Sequence, residues 1–264
     1  MIRALFFAVL AILSIANTTH ADTTSHAISG IQLGMPRDEA LAILKGLKAE
    51  ADKVNKTPAR LSRYSAKTAD LTSDFVVAES LKIVISEYSD RGFNAEDRIA
   101  VVYSEFNDNR VVAVFRHQKY AKQKVSAETI ANAVKDTYGI VVDKKDGWKP
   151  YSIHGLSMTN KAGNPTTDAK CAESTKDNHP ASGKSLLIEG FSIWSVHFPH
   201  CGQLLKVTMH KAGKTGYLEG LTQQMIDTQA VLGDGEIANA IRLSTEKAAK
   251  DAELAKAKKV APKL

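Results

Sequence analysis

The segment HFPHCG places His197, His200 and Cys201 within five consecutive positions. Cys171, His179 and His210 extend this set of donors over about forty residues. Imidazole and thiolate are ligands that zinc and copper favour. The segment therefore has three chemical readings: a metal site on His197, His200 and His210, a redox thiol, or a disulfide anchor flanked by histidines. Spacing separates them. The chain has no C-x-x-C and no H-x-x-x-H, and catalytic dithiols usually lie close in sequence. Along QLLKVTMH, Leu205, Val207 and Met209 alternate with Lys206, Thr208 and His210, which assigns His210 to the polar side of a strand. The chain's two cysteines form an even set, and an oxidising compartment favours one disulfide, Cys171 with Cys201. Closing that span contributes roughly 3 to 4 kcal/mol in the chain-entropy treatment.

Other chemistry-bearing stretches are incomplete. Gly-Lys-Ser at Gly183–Ser185 and Gly-Lys-Thr at Gly213–Thr215 lack the earlier glycine of a phosphate-binding loop, where Asn178 and Thr208 stand. GLSMT at Gly155–Thr159 lacks the second glycine of a nucleophile elbow. STEK at Ser244–Lys247 and KTG at Lys214–Gly216 occur in the wrong order for a penicillin-binding site. A hydrolase built on Ser157 and His154 is the version that remains to be tested. With no complete catalytic constellation, neither a catalytic residue nor a cofactor is assigned. One basic aromatic cluster, Phe115, Arg116, His117, Lys119 and Tyr120, is a candidate rim for protein or glycan contact. It is too thin to indicate nucleic acid.

The compartment follows from the first residues. Arg3, the apolar run Ala4–Ile15 and the small residues Thr19 and Ala21 read as a secretory signal peptide over residues 1–21. No segment reaches the roughly 20 apolar residues of a membrane-spanning helix. The expected location is the periplasm or outside the cell. Loss of Arg3 takes the formal charge from +6 to +5. Much of that excess lies between Lys247 and Lys263, a basic tail able to touch anionic surfaces weakly. Hydrophobic residues make up 44%, enough for a packed core.

These residues need elements to hold them. Pro36, followed by Asp38 and Glu39 and by leucines at helical spacing, predicts a helix from Pro36 to Ala49. Residues 51–74 read as an irregular connection with one short strand. Strands are predicted over Ser80–Tyr88, Asp97–Phe106 and Arg110–Gln118, with Asn107-Asp108-Asn109 as turn chemistry between the last two. Ser126 caps a helix ending at Gly139. Residues 143–185 read as a loop-rich excursion. Leu186–Phe198 and Gln203–His210 are expected as strands joined by a turn at Pro199–Gly202, residues 216–229 are ambiguous, and a helix runs from Glu236 to about Lys258.

The organisation read from the chain is a signal peptide (1–21), an N-terminal α+β unit (22–142), the excursion (143–185), a second sheet region packed on the first (186–232), and a basic C-terminal helix and tail (233–264). The fold class is α+β, antiparallel sheets packed on two or three helices with a long C-terminal helix. Helix, strands, helix, strands, helix suggests two loosely similar halves.

Leu33-Gly34-Met35 and Glu39, within GIQLGMPRDEALAIL, resemble the helix-opening pattern of the SmpA/BamE outer-membrane assembly lipoproteins and of β-lactamase-inhibitor-like domains. Pro36 stands where that pattern has Ser or Thr, and no lipid-bearing cysteine follows the apolar run. The likeness covers about fifteen residues; the remainder resembles secreted proteins of proteobacteria. It implies a non-catalytic, exported or envelope-associated protein whose partner is another envelope or secreted protein. A periplasmic metal-binding protein using His197 and His200 is the alternative.

Overall fold

The computed structural model describes residues 26–65, 76–85, 95–104, 106, 108–120, 125–141, 152–167, 186–188, 191–193, 201–211 and 217–259. Its first element is a small hairpin, β1 (Ala27–Ile28) paired with β2 (Ile31–Gln32). Ser29 and Gly30 both have positive φ, the conformation of a tight two-residue turn. The hairpin drives Ile28 and Ile31 into the core, where both are fully buried.

Gly34 also has positive φ, and the chain around it is clamped to a distant strand. Its N–H donates to the Val111 carbonyl at 2.8 Å, and the Val111 N–H donates to the Met35 carbonyl at 2.9 Å. Pro36 then caps helix α1 (Arg37–Val54). The sequence pattern predicts an end at Ala49. The helix continues because Lys48 pairs with Asp52 and Lys53 with Glu50, at the i,i+4 and i,i+3 spacings that support a helical turn. Asp52 Oδ1 also accepts from the Ala59 N–H at 2.6 Å, fixing the exit of the chain.

The described strands β3 (Arg60–Ser65), β4 (Val76–Ile85), β5 (Ala95–Ser104) and β6 (Arg110–Lys119) form an antiparallel meander. Asp108 and Asn109, in the loop before β6, take positive φ, as their short polar side chains allow. After β7 (Val125–Ser126) comes helix α2 (Ala127–Tyr138). The Ser126 hydroxyl accepts from the Thr129 N–H, and left-handed Gly139 ends the helix, as the sequence predicts.

The second half departs from expectation. Residues 152–160, expected within a loop, are strand β8 (Ser152–Asn160). Cys201 and Gly202, expected in a turn, open strand β11 (Cys201–Lys211). That strand pairs with β8 and with β12 (Tyr217–Asp227), a segment whose sequence pattern is ambiguous. Leu186–Ile188 (β9) and Phe191–Ile193 (β10) pair with each other, so the expected single strand folds back on itself. Helix α3 begins at Thr228 and runs to Lys259, so the glycines expected to precede it lie inside it.

The main correction is that there is one large sheet where two are expected. Its order is β3-β4-β5-β6-β12-β11-β8, with β7 added beside β12. Each half of the chain lays down a helix and then a meander, and the last strands of the two meanders, β6 and β12, meet antiparallel at the centre. Helices α1 and α2 cover one face through Leu44, Ile130, Val134 and Tyr138, packed with Leu81, Ile99, Val101 and Val207. Full burial of a leucine such as Leu44 contributes roughly 2 kcal/mol. The first turn of α3 covers part of the opposite face, where Ala230 and Val231 meet Val102, Ala113, Phe115 and Ile226. The architecture is α+β, with antiparallel strands between helices. Among the described residues, no helix is long and apolar enough to cross a membrane.

Candidate functional site

Strand alternation divides the basic aromatic cluster of β6 between two environments. Arg116 and Tyr120 point toward α2, whereas Phe115, His117 and Lys119 point the other way. The cluster is therefore not one contact patch. Arg116 is a core residue: its Nη2 donates to Asp97 Oδ2 at 2.6 Å and its Nε to Oδ1 at 3.1 Å. Burial opposes the guanidinium charge, but Asp97 outweighs it and holds the group above the usual arginine range. Tyr120 packs against the core, and its hydroxyl is pushed up to about 12, chiefly by burial. Phe115 is 1% exposed, beneath α3.

His117 and Lys119 belong to a different assembly, on the sheet face opposite α1 and α2. Cross-strand register aligns Arg60, Lys82, Arg98, His117, Thr222 and Thr208 in one row over six strands. The next row carries Glu96, Lys119, Gly220 and His210. Neighbouring strands are about 4.8 Å apart, so these side chains stand shoulder to shoulder. Glu96 accepts from Arg98 Nε at 2.9 Å and pairs with Lys82 at 3.6 Å. Burial works against its charge, but Arg98, Lys82 and Lys119 together hold the carboxyl below its usual range. Lys82 directly opposite both Arg60 and Arg98 is an unfavourable cross-strand arrangement, costing a few tenths of a kcal/mol or more.

The histidines complete the row. His117 Nδ1 and His210 Nε2 both contact Thr222 Oγ1 at 2.9 Å, and their rings lie 6.0 Å apart. A hydroxyl has one proton, so Thr222 donates to at most one of the two imidazoles and accepts from at least one of them. Burial, then His210 and then Arg98, lowers the His117 pKa. Gly220, between Lys119 and His210, allows close strand approach: a Cβ there would lie 2.5 Å from the Gln118 carbonyl oxygen.

The other sequence candidates resolve separately. His210 sits on the polar face as the alternation predicts, but beside His117, a neighbour that local spacing does not reveal. His197 and His200 lie outside the described residues. Among the described residues, no three His, Cys, Asp or Glu side chains gather as a metal site. Cys201 is buried, while Cys171 lies outside the described residues. The Cys201 carbonyl accepts from Thr228 Oγ1 at 2.7 Å, tying β11 to the start of α3.

Ser157 and His154 lie three positions apart on β8, and the side chain of His154 lies outside the described residues. The partner of Ser157 is His26, whose Nε2 lies 3.0 Å from the hydroxyl. Burial lowers the His26 pKa, and Tyr138 packs edge-on at 5.9 Å. Among the described residues no carboxylate is bonded to His26, so the pair lacks the acidic group that orients the base of a catalytic triad. No protein-family profile matches the chain, and neither a curated protein nor a solved structure matches it.

Proposed function

We propose that the protein is an exported, non-catalytic binding protein of the bacterial envelope, acting in the periplasm or outside the cell by contact with another envelope or secreted protein. The observation that carries this reading is the two-sidedness of the sheet. Among the described residues, one face is covered by α1 and α2, while the other meets α3 at one end through Ala230 and Val231 and carries an ordered row of polar and charged side chains beyond it. Such a rigid, laterally extended face suits protein contact, with side chains held by strand pairing rather than by loops. The export signal and the short resemblance at Leu33-Gly34-Met35 support the same reading. A disulfide between Cys171 and Cys201 belongs to this proposal, anchoring the excursion to the start of β11.

Photo-crosslinking tests it in the native envelope. A photoreactive side chain replacing Lys119 or Lys206 yields a discrete protein adduct, whereas the same group at Lys45, exposed on α1, does not. No adduct from the sheet face, together with turnover of a small substrate by the purified protein, refutes the proposal.

A further inference from the structure

We infer that the open sheet face recognises an acidic protein segment, whose carboxylates enter the basic rows around Glu96. The inference rests on the binding reading above and specifies the partner's chemistry. Along these rows, Lys82, Arg98 and Lys119 stand around the carboxylate of Glu96, and Arg60 follows Lys82 on the next strand. Glu96 shows what the surface accepts. It pairs with Arg98 and Lys82 and feels the field of Lys119, so a single carboxylate draws on three cations. On the same face, burial chiefly disfavours His117 as a cation, with His210 and Arg98 adding to the effect and Glu96 and Asp97 opposing it. The alignment of Arg60, Lys82 and Arg98 works against strand pairing, and such departures from local preference concentrate at functional sites.

Three features select a protein over other polyanions. Phe115, the aromatic ring beside the row, is 1% exposed and offers no stacking surface to a nucleic-acid base. The cations are recessed, with Lys82 and Arg98 side chains only 30% and 26% exposed. They favour carboxylates on a chain that lies along the sheet over a flat plane of lipid headgroups. Toward the β8 edge the same face turns to hydroxyls at Thr222 and Thr208 and then to Leu156, which is 44% exposed. Hydroxyls pair with peptide groups and an exposed leucine meets an apolar side chain, the mixed composition of a protein interface.

The test uses the exported protein and three labelled probes at low ionic strength: an oligoglutamate peptide, oligothymidylate, and phosphatidylglycerol vesicles. Oligoglutamate binds saturably, and its affinity falls steeply with salt. Arg60→Glu and Lys119→Glu each weaken it roughly five- to tenfold, the effect of reversing a charge at a contact. Lys247→Glu with Lys250→Glu, on the exposed turns of α3, changes it less than about twofold. Unfolding midpoints of all variants, measured in parallel, identify any loss caused by misfolding, and Lys119→Gln then supplies the milder replacement. The inference is overturned if oligoglutamate does not bind, if the α3 variant loses as much as Lys119→Glu, or if oligothymidylate or vesicles bind more tightly. A crosslink from position 206 that survives Arg60→Glu and Lys119→Glu refutes the acidic partner while leaving the binding function standing.

Discussion

Replacing Asp97 by asparagine removes a charge and almost no volume, which makes it a direct probe of the packing between the sheet and α2. Asp97 and Arg116 side chains are 13% and 14% exposed, and the carboxylate accepts two guanidinium hydrogen bonds and a longer one from Gln118 at 3.5 Å. A neutral amide at this position cannot compensate the charge of Arg116, which stays buried between the sheet and α2. Breaking a buried pair in this way costs about 3 to 5 kcal/mol, and the residual exposure places this pair near the lower figure. For a chain of this size that lowers Tm by roughly 6 to 12 °C. Urea unfolding followed by circular dichroism measures the change, with the m-value checking that the denatured state is unaltered. The double replacement Asp97→Leu with Arg116→Met restores most of the loss, because two apolar side chains leave no uncompensated charge. A cost below about 0.5 kcal/mol for Asp97→Asn, or a double variant no more stable than the single, refutes the buried-pair account.

Stability also falls on acidification from about pH 7.5 to about pH 5.5. Burial lowers the His26 and His117 pKa values in the folded protein, so the unfolded chain binds more protons below about pH 6.5, and stability present above that value is lost as pH falls toward the folded pKa. His26→Gln with His117→Gln flattens this part of the urea-midpoint profile, and an unchanged slope contradicts it. Gly220→Ala forces a Cβ against the Gln118 carbonyl and destabilises the sheet by about 2 kcal/mol or more, read from the same denaturation curves. Ser126→Ala removes the α2 cap and costs about 1 kcal/mol, whereas Ser126→Asp retains most of it. Cys201→Ser removes the proposed bridge to Cys171 and lowers stability by roughly 3 to 4 kcal/mol. Thiol counting on the unsubstituted protein, purified after export, is expected to find no free thiol, and two free thiols revive the metal and redox chemistry of HFPHCG.

Features that are legible in the sequence depend on neighbours along the chain. Ser126 and Gly139 mark the ends of α2, and Asp108 announces the turn before β6, because capping and positive φ are local events. β8 is hidden because Ser152, Ser157, Thr159 and Asn160 give it the composition of a loop, and its place in the sheet comes from β11. The Thr222 contact between His117 and His210 is hidden likewise. His117 and Thr222 are 105 positions apart, and only strand register brings them together. The β6 cluster shows the complementary limit: its five residues are close in sequence, but alternation sends Arg116 into the core and His117 to the opposite face.

The central junction of β6 with β12 has a consequence for biogenesis. An N-terminal half emerging first carries a complete meander whose last strand, β6, presents unpaired N–H and C=O groups along its outer edge. The strand that covers it finishes at Asp227, near the end of the chain. Closure over so long a loop is slow compared with local folding, and an uncovered edge templates pairing with other chains. If the protein is exported as proposed, this ordering suits translocation, since a sheet that waits for its last strand leaves the polypeptide threadable. The same delay makes β6 the edge most open to pairing with other chains before folding is complete.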